Sequence, residues 1–196
     1  LKVAHVKNPV VRSFWEDQMA KTGAREKQEM IPYFAAKFGQ FITNTMMRNI
    51  IGQPKSAFDF GKVMQEKKIL LMNLSKGEVG DINSKLLGLI IVSKLQMAAL
   101  RRQRISKEER KDFFMYIDEF QNYITDSIES ILSEARKYRL SLNLAHQYIA
   151  QLEGDDGKGK IKNAVFGNIG TMMSYKIGAQ DAEYLAKEMA PVFSDQ

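Results

Sequence analysis

Four short apolar runs constrain the fold of this chain more than any other feature. They are Ile69 to Leu74, Phe113 to Ile117, Leu140 to Ala145 and Thr171 to Ile177, and a helical pattern follows each one. Runs this short and this apolar suit strands of a parallel sheet, which are covered on both faces. Helices are expected over Asp81 to about Gln103 (with Asp81 as cap), Ser127 to Tyr138, Ile161 to Phe166 and Ala179 to Met189. The first is apolar around much of its circumference, which predicts burial on more than one side. Alternation of strand and helix predicts an α/β fold, mainly parallel sheet flanked by helices.

Residues 1–65 read as a helical region and 66–196 as the α/β core. Asn8-Pro9 opens a helix that ends near Gly23, with Asn8 as N-cap and Pro9 at the first helical position. A second helical stretch runs from about Ala24 to Ile51 and closes at Gly52; Pro32 is expected to kink or split it. Its stripe of Met30, Phe34, Phe38, Phe41, Ile42, Thr45 and Met46 predicts core packing. Ala57 to Gln65 reads as one short helix, and Gly154 to Lys160 as a loop.

The chain of 196 residues lacks cysteine, which excludes disulfides, thiolate metal sites and a cysteine nucleophile. Its two histidines, His5 and His146, exclude a multi-histidine metal site. The surplus of 29 basic over 23 acidic residues permits contact with nucleic acid without requiring it. The longest strongly apolar stretch, Leu86 to Val92, is far short of the roughly 20 residues of a spanning helix, so no membrane span is expected. The chain opens on Leu1 rather than Met, and reads as a fragment of a longer protein.

Ligands of open parallel sheets bind beyond the carboxyl ends of the strands. Ser75-Lys76-Gly77, Asp118-Glu119 and His146-Gln147 occupy those positions. Phe113 to Glu119 has the Walker B pattern: a buried strand, a first carboxylate (Asp118) placed to hold magnesium, and a second (Glu119) placed to polarise water. A pair of acids at a strand-to-helix turn is the plainer reading. Gln147 offers a neutral amide to a terminal phosphate, or is a surface loop residue; His146 reads as a satisfied neighbour. Arg136 can stabilise charge in phosphoryl transfer, or simply sit as a cation near a helix C-terminus. A phosphate-cradling G-x-x-x-x-G-K-[ST] loop is absent, since neither Gly61-Lys62 nor Gly157-Lys158 has the required spacing.

Taken in order, Lys68 to Gly77, Tyr116 to Phe120, Ser133 to Tyr138 and Leu144 to Gln147 resemble the type IV secretion and conjugation ATPases. These are the TraD/TraG coupling proteins and VirB-type traffic ATPases of the HerA–FtsK superfamily. The resemblance runs from about Asn8 to Met189. It implies a RecA-like P-loop NTPase fold lacking its P-loop strand, ATP and Mg2+ as cofactors, and a homo-hexameric ring. It further implies Asp118 in the magnesium shell (through water), Glu119 as water activator, Gln147 as γ-phosphate sensor and Arg136 as an arginine finger from a neighbouring subunit. The implied role is a motor that moves DNA or protein beside other secretion components, in the cytoplasm at the inner membrane. The chain alone is expected not to hydrolyse ATP. The alternative is an inert RecA-like DNA-binding or assembly domain, using the basic stretch Arg101 to Lys111.

Overall fold

A computed structural model describes residues 6–123, 128–154 and 159–190. The chain divides into two compact units, Leu1–Lys55 and Ser56–Gln196.

The first unit is helical. The Asn8 side chain accepts hydrogen bonds from the amides of Val10 (2.9 Å) and Val11 (3.4 Å), capping α1 (Pro9–Ser13). The helix continues as a π-helical turn over Phe14–Met19. α2 (Ala24–Thr43) runs through Pro32 without breaking. The break falls instead at Asn44, which leaves helical geometry at ψ 116 and caps α3 (Thr45–Ile51) by accepting from the Met47 amide. Met30, Thr45 and Met46 are exposed, contrary to the core packing expected of their stripe, and Met47 is the buried residue of α3. The side chains of Phe34, Phe38, Phe41 and Ile42 lie outside the described part.

The second unit opens with α4 (Phe60–Gln65), capped by Asp59. It continues through α5 (Lys76–Val79), α6 (Asp81–Arg101) with a 3-10 turn to Arg104, and β1 (Phe113–Ile117). Then follow α7 (Ile128–Glu134) with a 3-10 turn over Ala135–Tyr138, β2 (Leu140–Leu144), α8 (Lys160–Asn168) and α9 (Ala179–Met189). β1 and β2 pair in parallel, Phe113 opposite Leu140 through Ile117 opposite Leu144. An α/β arrangement is therefore present, with a sheet of two strands among the described residues.

The other two expected strands do not form. Ile69 to Leu74 forms no ladder, and it lines a cavity of about 1230 Å³ together with β1. Thr171 to Ile177 also lacks a ladder, and Met173 and Tyr175 are exposed. Apolar composition makes a run compatible with a strand, but only a partner's backbone groups make it one. β1 itself is covered on one face: Met115 and Ile117 are buried, whereas Phe114 and Tyr116 stand in solvent. Burial of both faces, expected for a parallel strand, is not seen.

The core joins Leu95, Ala98 and Ala99 of α6 to Met115 and Ile117 of β1, Phe120 beyond it, and Ile131 of α7. The buried positions of α6 fall on one face, while Ile82 and Met97 are exposed. With its extension to Arg104, α6 is long and apolar enough to cross a membrane by length and composition, which the count of consecutive apolar residues missed. Here its buried face packs in the core. The N-cap position of α6 belongs to Gly80 at φ +83, a left-handed value suited to glycine, and Asp81 stands one residue inside. Residues 155–158 of the expected loop and Ser127 of the expected helix lie outside the described residues.

Two contacts of α6 generate predictions. A Cβ on Gly88 would lie 2.1 Å from Cδ1 of Tyr123, so the helix approaches that ring only with glycine there. Gly88→Ala is expected to cost about 1–3 kcal/mol through overpacking, read as a lowered thermal midpoint. The Asp81 carboxylate pairs with Lys85 (3.0 Å) and Lys76 (3.1 Å), whose hydrogen bonds hold its pKa below the ordinary 3.8. A depressed folded-state pKa contributes stability above the unfolded value, lost as pH falls through the folded one. Asp81→Asn is therefore expected to melt lower than the parent at pH 7. The gap should close below about pH 3.8, measurable by thermal unfolding from pH 7 to 2.

Candidate functional site

The site forms where β1 and β2 end side by side. The Ala145 amide donates to the Ile117 carbonyl (3.0 Å), and the Phe120 amide donates back to the Ala145 carbonyl (3.1 Å). These bonds carry the pairing one step past the ladder and fold residues 118–119 against residues 145–147. Glu119 takes the left-handed conformation at φ 50 and ψ 44, rare for a residue with a long side chain.

Glu119 then reaches Gln147. Its Oε1 accepts from Nε2 of Gln147 at 2.7 Å, across 28 positions of sequence. Its Oε2 accepts from Nε2 of Gln121, also at 2.7 Å. The Asp118 side chain is exposed; its Oδ1 accepts the Glu119 amide at 3.0 Å, and Oδ2 has no protein partner among the described residues. Gln147 is fixed from its backbone side, because Oε1 of Gln151 accepts from the amides of Gln147 (3.1 Å) and Tyr148 (3.3 Å). The Asp181 carboxylate of α9 accepts from the Ile149 amide, anchoring the turn that follows. His146 packs edge-on against Phe120, and its Nδ1 lies 3.2 Å from the Tyr148 carbonyl, a satisfied neighbour as expected.

Ser75, Lys76, Asp118 and Glu119 share the lining of the 1230 Å³ cavity, so two of the three strand-end clusters face one space, and Gln147 joins them through Glu119. Arg136 is not among them. It lies on the 3-10 turn before β2, at the amino end of the strand, whereas Glu119 and Gln147 lie at the carboxyl end. Its side chain is exposed and forms no hydrogen bond or ion pair with any described residue. Gln121 and Gln151 were not singled out in the sequence. The only sign of either was a polar amide a few residues after a strand tip.

The family model for conjugative DNA transfer of the type IV secretory system matches residues 16–190. The match covers well over half of the chain. This chain belongs to that family. Its members take part in conjugative DNA transfer, and the family is associated with type IV secretion ATPases. No curated protein and no solved structure matches the chain. Membership makes DNA and the other components of a secretion system the relevant partners.

The donor set is compatible with magnesium held largely by phosphates and water. No cluster of three or more His, Asp or Glu side chains that could cage a metal occurs among the described residues. Magnesium commonly takes only one or two carboxylates and completes its shell with phosphate oxygens and waters. An exposed strand-tip carboxylate with one oxygen uncommitted among the described residues, as in Asp118, fits that use.

Proposed function

We propose that this chain supplies the water-activating and phosphate-sensing half of an ATP site in a RecA-like, hexameric motor for conjugative DNA transfer. The hydrogen bond between Glu119 and Gln147 carries the reading. An acid and an amide from different strand tips, held 2.7 Å apart, are what hydrolysis requires: one group takes a proton from the attacking water and the other reads the terminal phosphate.

In this reading Asp118 holds the magnesium shell through water, and the ion, when bound, neutralises charge on the phosphates. Glu119 orients a water and accepts its proton. The Gln147 amide donates to the γ-phosphate or to Glu119, so that loss of the phosphate changes its partner. Gln121 keeps the second Glu119 oxygen in place, and Gln151 keeps the Gln147 backbone in place. Arg136, at the far end of β2, serves the site of a neighbouring copy. Family membership supports DNA as the substrate and a place at the cytoplasmic side of the inner membrane.

The inert DNA-binding reading rests first on the missing P-loop, and of its basic stretch Arg101, Arg104, Lys107 and Lys111 are exposed while two members are not. Arg102 and Arg110, central to the basic stretch, are buried and bonded to backbone carbonyls, which removes them from contact with a nucleic-acid surface. The test uses the full-length protein. Glu119→Gln is expected to lower DNA-stimulated ATP turnover by about 100-fold or more while ATP binding stays close to wild type. Undiminished turnover in this variant would rule out Glu119 as the water activator.

A further inference from the structure

Arg102 is 3% exposed and Arg110 is 9% exposed, and neither has an acid at hydrogen-bond distance among the described residues. Burying a guanidinium is costly, and burying two near each other adds repulsion. Desolvation, and then the charge of Arg110, press the Arg102 pKa below its ordinary value. Arg102 Nη2 is buried without a partner among the described residues. Packing alone does not account for such a pair, because an aliphatic side chain would fill the space without these costs.

Their hydrogen bonds do account for it. Arg102 Nη1 donates to the carbonyl of Lys111 (2.8 Å) on one side, and to those of Tyr138 (2.9 Å) and Arg139 (3.5 Å) on the other. Arg110 repeats the pattern: Nε donates to Ile105 (3.0 Å) and Nη1 to Lys137 (2.5 Å). The Arg110 guanidinium also lies over the Tyr138 ring, 5.8 Å from its centre. The carbonyls of Lys137 and Tyr138 are thus held at the end of the 3-10 turn, where helical carbonyls have no partner of their own, and that of Arg139, just beyond, also accepts from the Phe113 amide. Both arginines tie that turn to the loop joining α6 to β1. The turn carries Arg136, whose own side chain is exposed and has no partner among the described residues.

We infer that Arg102 and Arg110 are positioning residues that fix the backbone under Arg136, so that its guanidinium enters a neighbouring copy's site in one geometry. The inference rests on the reading of Arg136 as an arginine finger. A finger acting across a subunit boundary gains nothing from its own chain's catalytic end, so its aim depends on the rigidity of its base, and a misplacement of about 1 Å can cost roughly 100-fold.

The test measures DNA-stimulated ATP turnover, KM for ATP and thermal midpoint in the full-length protein. The variants are Arg136→Ala, Arg102→Lys, Arg110→Lys, and each lysine variant combined with Arg136→Ala. Lysine keeps the charge, but its ammonium ends one bond short of the Nη1 position from which Arg102 bridges loop and turn, and at 110 it puts one nitrogen where Nε and Nη1 donate separately. Arg136→Ala is expected to lower kcat by about 1000-fold with KM and midpoint unchanged. Each lysine variant is expected to lower kcat by about 10-fold or more at unchanged KM. In the Arg136→Ala background neither should lower it further, because groups that act through one another are not additive. Arg110→Lys, at the more open position, answers the question even if Arg102→Lys unfolds.

Lysine variants with wild-type kcat overturn this inference, as do lysine variants whose loss persists in full without Arg136. Arg136→Ala with wild-type kcat overturns the finger reading and this inference together. A slow Arg136→Ala beside fast lysine variants overturns this inference alone.

Discussion

Two backbone hydrogen bonds beyond the last ladder pair, Ala145 to Ile117 and Phe120 to Ala145, are the constraint on which the site depends. They hold the strand tips in register after the regular sheet has ended, and leave residues 118–119 too few positions to turn except through a left-handed residue. Glu119 takes that conformation at a cost of about 1–3 kcal/mol. Its carboxylate accepts two amide hydrogen bonds, from Gln147 and Gln121, each worth about 1.5–3 kcal/mol when the acceptor is charged. The bonds are large enough to offset the strain. The same strain that aims Glu119 is thus sustained by the partners it is aimed at.

The parts of the fold that were legible in the sequence are those decided locally. Asn8 caps a helix through its own side chain, and Ala179–Met189 is a helix that needs no distant partner to be recognised. β1 and β2 were legible because each apolar run meets the other. Ile69 to Leu74 and Thr171 to Ile177 have equally suitable composition, yet a strand requires a neighbour's backbone, and composition does not report where the neighbour is. Pro32 misled for a different reason. The helix absorbs one missing amide donor, whereas Asn44 supplies both a non-helical ψ and a cap for the next helix, and so ends α2.

The site divides in the same way. Asp118, Glu119 and Gln147 could be picked out because strand tips are where a parallel sheet presents polar groups. Gln121 and Gln151 could not, because their roles exist only once the chain has turned and brought an amide beside Glu119 and a carbonyl oxygen beside the Gln147 amide. Arg102 and Arg110 read as part of the basic stretch Arg101 to Lys111. Nothing in the local sequence tells that their partners are carbonyls 27 to 37 positions away.

The separation of Arg136 from Glu119 has a consequence for assembly. A strand rises about 3.3 Å per residue, so the five residues of β2 put its two ends roughly 13 Å apart. Within one chain, Arg136 would have to span the sheet to meet the site at the opposite end. In the proposed ring no such span is needed, because a head-to-tail interface sets the amino end of one copy's strands against the carboxyl end of the next. Each chain then offers an acid and an amide at one end and a guanidinium at the other. In this proposal neither end works without a neighbour, turnover is a property of the interface, and the rigidity of the turn beneath Arg136 contributes to hydrolysis alongside the chemistry at Glu119.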